Sequence, residues 1–218
     1  MSCWETDIYS KGKQLNKYPY DSIVSFIFSN YGYLSKEERK NINILEVGCG
    51  AGNNIWFLSE EGFNTYGIDI SPSAIKFCNN NLKDKNLKAT INIGTFSKLP
   101  YKDNFFDIII DRLAISHDPE EINNTLMEVK RVLKPNGKFM STMFSTDDDG
   151  YKLRENIINN NGCLEVKDGY LKDLGPVYFL DDELSIIRKY FNIINKEKNI
   201  KIIKNNYKMC NITFIASK

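Results

Sequence analysis

Short apolar runs alternate with helical patterns through the middle of the chain. Each run is rich in β-branched and aromatic residues, which predicts a strand. The five runs lie at residues 42–47, 65–70, 88–93, 106–111 and 138–144. Between the last two runs, Ile122, Leu126 and Val129 recur at helical spacing and predict an amphipathic helix. Strands that alternate with such helices are typical of βαβ units, so the pattern predicts a doubly wound α/β fold with a mostly parallel sheet.

Three regions lie outside this alternation. The first 41 residues contain an aromatic-rich start and a predicted helix over residues 19–31. Residues 145–180 form a polar segment that is long for a loop, and loops of that length usually serve as lids or binding elements. After a short helix predicted at 181–190, two β-type runs at 191–203 and 208–216 predict an antiparallel hairpin. The expected sheet therefore has seven strands.

Composition and charge exclude several classes of protein. The chain has 29 Lys and Arg against 28 Asp and Glu, so it lacks the positive excess on which nucleic-acid binding depends. No apolar run approaches the roughly 18 residues of a membrane span, and the start of the chain lacks the pattern of a secretory signal. Five scattered cysteines and one histidine disfavour structural zinc and a disulfide framework. The carboxylate run at residues 147–149 is expected to be solvated. We expect a cytoplasmic protein with no nucleic-acid, membrane or metal partner.

A glycine-rich turn follows the first predicted strand. Gly48, Gly50 and Gly52 stand at every second position, which lets the backbone approach a ligand closely. The helix expected to begin near Asn53 presents free N–H groups to the same place. Because Asn53 stands where a G-x-G-x-x-G dinucleotide motif has its last glycine, the spacing disfavours a nicotinamide cofactor. The turn predicts a nucleotide-like pocket at the carboxyl edge of the sheet.

Two carboxylates flank this turn and restrict the class of ligand that it could bind. Glu46 precedes the first glycine and would repel a pyrophosphate. Asp69 ends the next predicted strand about 20 residues further on, where an acid can accept both hydroxyls of a ribose. The turn has no phosphate-binding lysine. The pattern favours a nucleoside that carries positive charge and no phosphate, and S-adenosylmethionine meets that description.

Four segments occur in an order that is typical of one protein family. They are LEVGCGAG at 45–52, GIDIS at 67–71, LPYKDNFFD at 99–107 and RVLKPNGK at 131–138. Over roughly residues 42–144 the chain resembles the class I S-adenosylmethionine-dependent methyltransferases. The resemblance implies a Rossmann-like fold, S-adenosylmethionine as cofactor and methyl transfer as the activity. Residues 9–19 are also similar to small-molecule methyltransferases of bacterial surface-polysaccharide gene clusters, which favours a sugar-like acceptor.

The resemblance also implies a set of cofactor contacts. Glu46 would orient the methionine amine, Asp69 would hold the ribose hydroxyls, and Ile70 would lie against the adenine. Thr95 replaces an Asp that is frequent in the family, so adenine recognition would rely on the Phe96 backbone N–H. From its residue type, Arg112 is a candidate to reach the methionine carboxylate, with an exposed surface position as the alternative. The predicted cofactor contacts are Glu46, Gly48, Cys49, Gly50, Gly52, Asn53, Asp69, Ile70, Thr95, Phe96, Asp111 and Arg112.

His117 is the candidate general base. It is the chain's one histidine and follows the fourth predicted strand, at the edge where open α/β sheets bind ligands. A base that accepts the proton of an acceptor hydroxyl contributes roughly 10²–10⁴-fold; the alternative is that His117 packs beside the next helix. Tyr18, Tyr20, Tyr151 and Tyr178 are candidate acceptor contacts, with ordinary packing as the alternative.

We expect a single methyltransferase domain over residues 1–218. It would comprise an N-terminal helical lid (1–41), a cofactor core (42–144), a substrate cap (145–180) and a C-terminal helix with hairpin (181–218). The predicted function is methyl transfer to a hydroxyl, or less favourably an amine, of a small molecule, by a monomer or homodimer. The alternatives are a cofactor-binding domain without catalysis and a nicotinamide-dependent oxidoreductase on a similar fold.

Overall fold

The structure of the protein, a computed structural model, describes residues 4–118, 122–157, 164–166, 168–172 and 174–218. The strands in these ranges are β1 (Asn43–Val47), β2 (Asn64–Asp69), β3 (Thr90–Ile93), β4 (Phe106–Arg112), β5 (Leu133–Phe144), β6 (Arg154–Ile157), β7 (Leu164–Val166), β8 (Asn192–Ile202) and β9 (Lys208–Ser217). The α-helices are α1 (Asp21–Tyr31), α2 (Lys36–Arg39), α3 (Asn53–Glu60), α4 (Pro72–Asp84), α5 (Ile122–Val132), α6 (Asp149–Lys152) and α7 (Ser185–Arg188). Single helical turns cover Trp4–Ile8, Tyr9–Lys11, Ile115–His117 and Lys204–Asn206.

Seven strands form one sheet in the order β3-β2-β1-β4-β5-β9-β8. The pairs from β3 across to β5 are parallel, whereas β9 runs antiparallel to both β5 and β8. This arrangement confirms the predicted α/β fold with a mostly parallel sheet and a C-terminal hairpin. The strand order reverses between β1 and β4, and in open α/β sheets such a switch point opens a crevice beyond the carboxyl ends of the strands.

Both faces of the sheet are covered, as expected of parallel strands. On one face, Ile44 of β1 and Ile108 of β4 pack against α1 and α3. On the other face, Leu45 and Val47 pack with Leu126 of α5 and with α7. Because successive side chains of a strand point to opposite faces, β1 and β4 carry buried apolar residues on both faces, as at Ile44 and Leu45. Their polar residues stand near the strand ends, and Glu46 and Asp111 are close to the carboxyl edge.

The described part of the segment after β5 contains more regular structure than its sequence predicts. It contains α6 and a two-stranded antiparallel sheet of β6 and β7. The expectation of a solvated carboxylate run is wrong for Asp148, which is fully buried. Its carboxylate accepts hydrogen bonds from Tyr207 Oη at 2.6 Å and from the N–H of Cys210 at 2.6 Å. Asp148 therefore anchors this segment, which we call the cap (residues 164–180 with α6 and β6), to β9.

The ends of the helices follow the local chemistry of the sequence. Helix α4 begins at Pro72, and Ser71 Oγ caps it by accepting from the N–H of Ala74 at 3.0 Å. Cys3, Cys163 and residues 119–121 lie outside the described residues. The cysteines within them, Cys49, Cys78 and Cys210, are buried free thiols. Among the described helices, none has the length and apolar character needed to cross a bilayer.

Candidate functional site

A cavity of about 270 Å³ opens at the carboxyl edge of the sheet, where β1 and β4 diverge. It receives side chains from the turn after β1, the ends of β2 and β4, the N-terminal segment and the cap. The predicted site residues that line it are Tyr20, Glu46, Gly48, Cys49, Gly50, Asn53, Asp69, Ile70, Thr95, Phe96, Arg112 and His117. Residues more than 100 positions apart in sequence are thereby brought to one cleft.

The other predicted site residues do not line the cavity. Tyr18 is 78% exposed, and only its backbone carbonyl is used, accepting from Asn53 Nδ2. The ring of Tyr151 packs edge-on to Phe179 inside the cap. Tyr178 packs against the main core. None of these three tyrosines lines the cleft. Tyr18 is exposed, whereas the rings of Tyr151 and Tyr178 pack in the cap and against the core.

Gly52 and Asp111 support the site from behind rather than lining it. Gly52 has φ +83°, and a Cβ there would lie 2.4 Å from Cys78 Sγ, so glycine lets the turn pack on α4. Asp111 is buried, and its carboxylate accepts from the N–H groups of Ala114 and Ile115 and from Ser141 Oγ. These bonds hold the loop that leads from β4 to His117.

The turn after β1 has the conformation that its glycines predict. Gly48 and Gly50 have φ +67° and +52°. A Cβ on Gly48 would lie 2.0 Å from the Ala114 Cβ, and one on Gly50 would lie 2.4 Å from Tyr9 Oη. The backbone of the turn is therefore in direct contact with the loop after β4 and with the N-terminal segment. Cys49 between them is buried, and a hydrogen bond with Cys78 together with burial raises the pKa of its thiol, which leaves it unreactive.

Asp69 is held in one orientation at the end of β2. One carboxylate oxygen accepts from the N–H of Gly50 and the other from the N–H of Ser71, each at 2.9 Å. Burial raises the pKa of this carboxyl group. Each carboxylate oxygen can accept a second hydrogen bond. Asp69 therefore keeps acceptor capacity, on the wall of the cavity, for hydroxyl groups of a ligand.

Glu46 lines the cleft, and only one of its two carboxylate oxygens has a hydrogen-bond partner among the described residues. Its Oε1 accepts from Asn54 Nδ2 at 2.6 Å, whereas Oε2 is buried and has no partner among the described residues. Burial raises the pKa of Glu46 to about 8, with Asp111 and Asp69 adding to the shift. A buried carboxylate oxygen without a partner is costly, so this group is suited to a cationic ligand.

Arg112 presents the opposite charge on the same face of the sheet. Glu46 is in register with Ile110 on β4, and Arg112 lies two residues further along that strand. Its guanidinium stacks over the ring of Tyr20 at 4.7 Å, and Nη1 is buried without a partner among the described residues. Glu46 and Arg112 are thus a carboxylate and a guanidinium that do not satisfy each other. Together they match a ligand group that carries both an ammonium and a carboxylate.

One ring nitrogen of His117 makes a hydrogen bond, and the other has no partner among the described residues. It hydrogen-bonds the carbonyl of Pro176 in the cap, and because Nδ1 is buried without a partner, the donor is Nε2. Burial lowers the pKa of His117 to about 4. The ring is therefore neutral at pH 7, with its lone pair on Nδ1. It lies edge-on to the rings of Trp4 and Phe144, at centroid distances of 5.1 and 5.6 Å.

The N-terminal segment, residues 4–16, covers the cleft. Trp4 and Tyr9 line the cavity, and neither was among the site residues that the sequence predicts. The Glu5 carboxylate ties the segment to the start of α4: it accepts from Ser71 Oγ, from Ser73 Oγ at 2.7 Å and from the N–H of Ser73 at 3.1 Å. The aromatic-rich start of the chain was the one local signal for this cover, and nothing in the sequence near Glu5 indicates its partners.

A family model described as a methyltransferase domain matches residues 38–209, most of the chain. The chain belongs to the class I S-adenosylmethionine-dependent methyltransferases. Among curated relatives, an uncharacterised protein of Methanocaldococcus jannaschii is 30% identical over 82% of this chain and 81% of its own length. The ubiquinone biosynthesis O-methyltransferase of Rickettsia felis is 28% identical over 64% of this chain and 54% of its own. The methyltransferase spans about a quarter to a half of the length of most of the first curated relatives that it matches.

Solved structures give the same fold. A SAM-dependent methyltransferase of Methanosarcina mazei superposes with a TM-score of 0.72 at 20% identity, over 92% of this chain and 98% of that one. S-adenosylmethionine is the cofactor of this family and fold, and the cleft fits it. The unpartnered Glu46 Oε2 and Arg112 Nη1 match an amino-acid end, and the remaining acceptor capacity of the Asp69 carboxylate matches ribose hydroxyls. Ile70, 39% exposed in the cleft, offers an apolar surface for a purine. Within the described residues, no cluster of His, Cys, Asp or Glu could hold a metal ion.

Proposed function

We propose that this methyltransferase transfers a methyl group from S-adenosylmethionine to the hydroxyl of a small molecule, and that His117 accepts the hydroxyl proton. The observation that carries the proposal is the buried, unpartnered Nδ1 of a neutral histidine on the cavity wall. A buried nitrogen lone pair without a donor is unfavourable unless a ligand supplies one. An acceptor hydroxyl supplies such a donor.

The chain's own residues would hold the cofactor in a fixed orientation. Glu46 would bind the methionine ammonium, Arg112 its carboxylate, and Asp69 the ribose hydroxyls. The Phe96 ring lies beside the glycine turn, 3.4 Å from where a Cβ on Gly48 would be, and closes the adenine side of the cleft. Contacts at both ends of one ligand restrict it to a single pose. Such positioning supplies up to roughly 7–11 kcal/mol of a displacement barrier in favourable cases.

The reaction needs a methyl donor, a nucleophile and a proton acceptor. S-adenosylmethionine supplies a methyl carbon bonded to a sulfonium, and when the acceptor oxygen takes that carbon, the electron pair of the C–S bond stays on sulfur. His117 Nδ1 accepts the proton that leaves the oxygen. The Pro176 carbonyl keeps the other nitrogen protonated, so the lone pair remains on Nδ1. The proton on His117 would then pass to solvent.

Several observations support a small acceptor. Residues of the N-terminal segment and of the cap line the cleft together with the strand ends, and its volume is about 270 Å³. The chain has a formal net charge of +1, so it lacks the positive excess that attracts a polynucleotide. The Rickettsia felis relative is named for O-methylation. An amine acceptor is less favoured, because an amine is protonated at pH 7 and must lose that proton before its nitrogen can attack, whereas a neutral hydroxyl already has a free lone pair.

The alternatives make different predictions. Membership of the methyltransferase family removes the support for a nicotinamide-dependent oxidoreductase. A cofactor-binding domain without catalysis remains the second hypothesis, and it predicts S-adenosylmethionine binding without turnover on any acceptor. We further infer that residues 1–41, 42–144, 145–180 and 181–218 act as lid, cofactor core, acceptor cap and C-terminal support of one domain.

Two measurements test the proposal. Isothermal titration with S-adenosylmethionine measures cofactor binding directly. Incubation with a panel of hydroxyl- and amine-bearing metabolites, followed by mass spectrometry, detects products that have gained one methyl group. We expect binding and methylated hydroxyl products. Absence of cofactor binding contradicts the proposal entirely, whereas binding without any product favours the non-catalytic alternative.

Cofactor binding is expected to release a proton near neutral pH. The free protein keeps Glu46 mostly protonated at pH 7 because its pKa is about 8, and a bound ammonium favours the carboxylate form. Affinity for S-adenosylmethionine should therefore rise with pH up to about 8 and then level off, with about one proton released per cofactor at pH 6–7. Titration calorimetry in buffers of different ionisation enthalpy measures this number. In Glu46→Gln the release should vanish; an unchanged release would assign the proton to another group.

Loss of the Glu5 contacts is expected to speed cofactor release. Glu5→Ala removes the carboxylate that ties residues 4–16 to Ser71 and Ser73. These bonds are solvent-accessible, so we expect a moderate effect of roughly three- to tenfold on the dissociation rate of S-adenosylhomocysteine. Stopped-flow fluorescence of Trp4 follows the release. Asp7→Ala is the control, since Asp7 lies in the same segment and pairs with Lys11. Equal rates in both variants would show that Glu5 does not hold the cover.

A further inference from the structure

The cavity has a cofactor half and a second half of different chemistry. In the sheet order, β2 and β3 lie on one side of β1, whereas β4, β5 and β9 lie on the other. Asp69 and the residues after β3 belong to the first side. The second side is lined by Leu113 after β4, Phe144 at the end of β5, Met209 of β9, and Leu174 and Tyr170 of the cap. The polar residues His117 and Asp118 follow β4 on the same side, so the half of the cleft that is left for an acceptor combines an apolar surface with a few polar groups.

The unpartnered polar atoms divide between the two halves. The buried side-chain nitrogen and oxygen atoms without a partner, among the described residues, are on Trp4, Arg39, Glu46, Arg112 and His117. All but Arg39 line the cavity. Glu46 and Arg112 are matched by the amino-acid end of the cofactor. Trp4 Nε1, a donor, and His117 Nδ1, an acceptor, remain, and their rings are in contact at 5.1 Å.

One chemical group satisfies both atoms. A hydroxyl oxygen accepts one hydrogen bond and donates another, so it can accept from Trp4 Nε1 and donate to His117 Nδ1. We propose that the acceptor of this methyltransferase is an apolar compound, aromatic or long-chain, that carries a single reacting hydroxyl, and that Trp4 is a positioning residue for that hydroxyl. This inference rests on the proposed function. It narrows the acceptor class and adds a residue from the N-terminal segment to the reaction.

A sugar is a poor match for the same surface. Each buried hydroxyl without a partner is unfavourable, and a sugar ring brings several of them. The acceptor half presents apolar side chains of Leu113, Phe144, Leu174 and Met209, which belong to or pack against the apolar cluster of the cap. An apolar body buried against them is stabilised in proportion to the apolar area that it buries. The sugar-like acceptor that the N-terminal similarity favours therefore finds few partners here.

Binding of three probes to the protein loaded with S-adenosylhomocysteine tests the inference. The probes are 2-naphthol, its ether 2-methoxynaphthalene, which has no proton to donate to His117, and methyl glucoside. We expect 2-naphthol to bind about tenfold more tightly than the ether, the effect of one hydrogen bond, and methyl glucoside to bind more weakly than both. Titration calorimetry measures all three affinities.

Two tryptophan variants connect the result to Trp4. The chain has two tryptophans, and Trp56 Nε1 donates to the Lys17 carbonyl outside the cavity. Trp4→Phe keeps an aromatic ring but removes the donor, so it should weaken the binding of 2-naphthol and of its ether alike by several-fold, because both oxygens accept from the indole N–H. Trp56→Phe, the matched control, should change neither.

The possible outcomes distinguish failure of this inference from failure of the proposed function. Methyl glucoside binding as tightly as 2-naphthol, equal affinity for 2-naphthol and its ether, or no binding of either naphthalene would overturn the inference. An unchanged affinity in Trp4→Phe would overturn the role of Trp4. Failure of S-adenosylhomocysteine itself to bind would contradict the proposed function, before any acceptor is considered.

Discussion

His117→Ala is expected to lower kcat by about 10²–10⁴-fold with any hydroxyl acceptor found by the metabolite screen, which is the usual contribution of a positioned general base. The affinity for S-adenosylmethionine should change little, because His117 lies on the acceptor side of the cavity. The pKa of about 4 means that His117 is already a neutral base at pH 7. Its protonation should therefore not limit kcat between pH 6 and 8, and activity should fall only as the pH approaches 4.

A second substitution separates proton acceptance from packing. The His117 ring contacts Trp4 and Phe144, so its removal also leaves a gap. His117→Phe fills that space without a lone pair and should be as slow as His117→Ala. Tyr178→Phe is a control outside the cleft and should retain full kcat. Steady-state kinetics with a fixed acceptor measures all three; a His117→Phe enzyme with near-normal kcat would assign this ring to packing alone.

Asp69→Ala is expected to weaken S-adenosylmethionine binding by about 10²-fold or more, from two lost hydrogen bonds to a charged acceptor at about 1.5 kcal/mol or more each. The change also leaves the N–H groups of Gly50 and Ser71 without the acceptor that orders the turn. Both effects act in the same direction. Titration calorimetry gives the affinity, and the thermal midpoint without cofactor reports how much of the loss is structural.

An exposed aspartate provides the comparison for Asp69. Asp103 pairs with Arg131 on the surface, far from the cleft, so Asp103→Ala should bind the cofactor as the unaltered protein does. If Asp69→Ala binds S-adenosylmethionine within about threefold of the parent, a change worth less than one hydrogen bond, the ribose assignment is wrong. The cofactor would then need another anchor at the end of β2.

The sheet and the cofactor half could be predicted because their signals are local. The period of apolar residues identifies β1 to β5. The turn at Gly48 and Gly50 needs positive φ angles that glycine adopts readily. Asp69 ends β2, and the length of one βαβ unit sets its distance in sequence from the turn after β1. Each of these features depends on neighbours within about 30 residues, the length of such a unit.

The acceptor half could not be predicted in the same way. Trp4 meets His117 across more than 100 residues of sequence, and Glu5 meets Ser73 across 68. No periodicity connects such pairs. Tyr151 and Tyr178 are candidates because they lie in or near the long segment at 145–180, yet local sequence does not say which way an aromatic ring points there. Their rings pack against Phe179 and the main core instead.

The hydrogen bond between His117 and the Pro176 carbonyl matters for engineering this enzyme. Residues of the cap line the acceptor half, so grafting a cap from a relative is the natural route to new acceptors. The same graft replaces the carbonyl that decides which ring nitrogen is protonated. Chimeras that keep a carbonyl at this position should inherit catalysis along with the new selectivity, whereas those that lose it should bind their compound and leave it unmethylated.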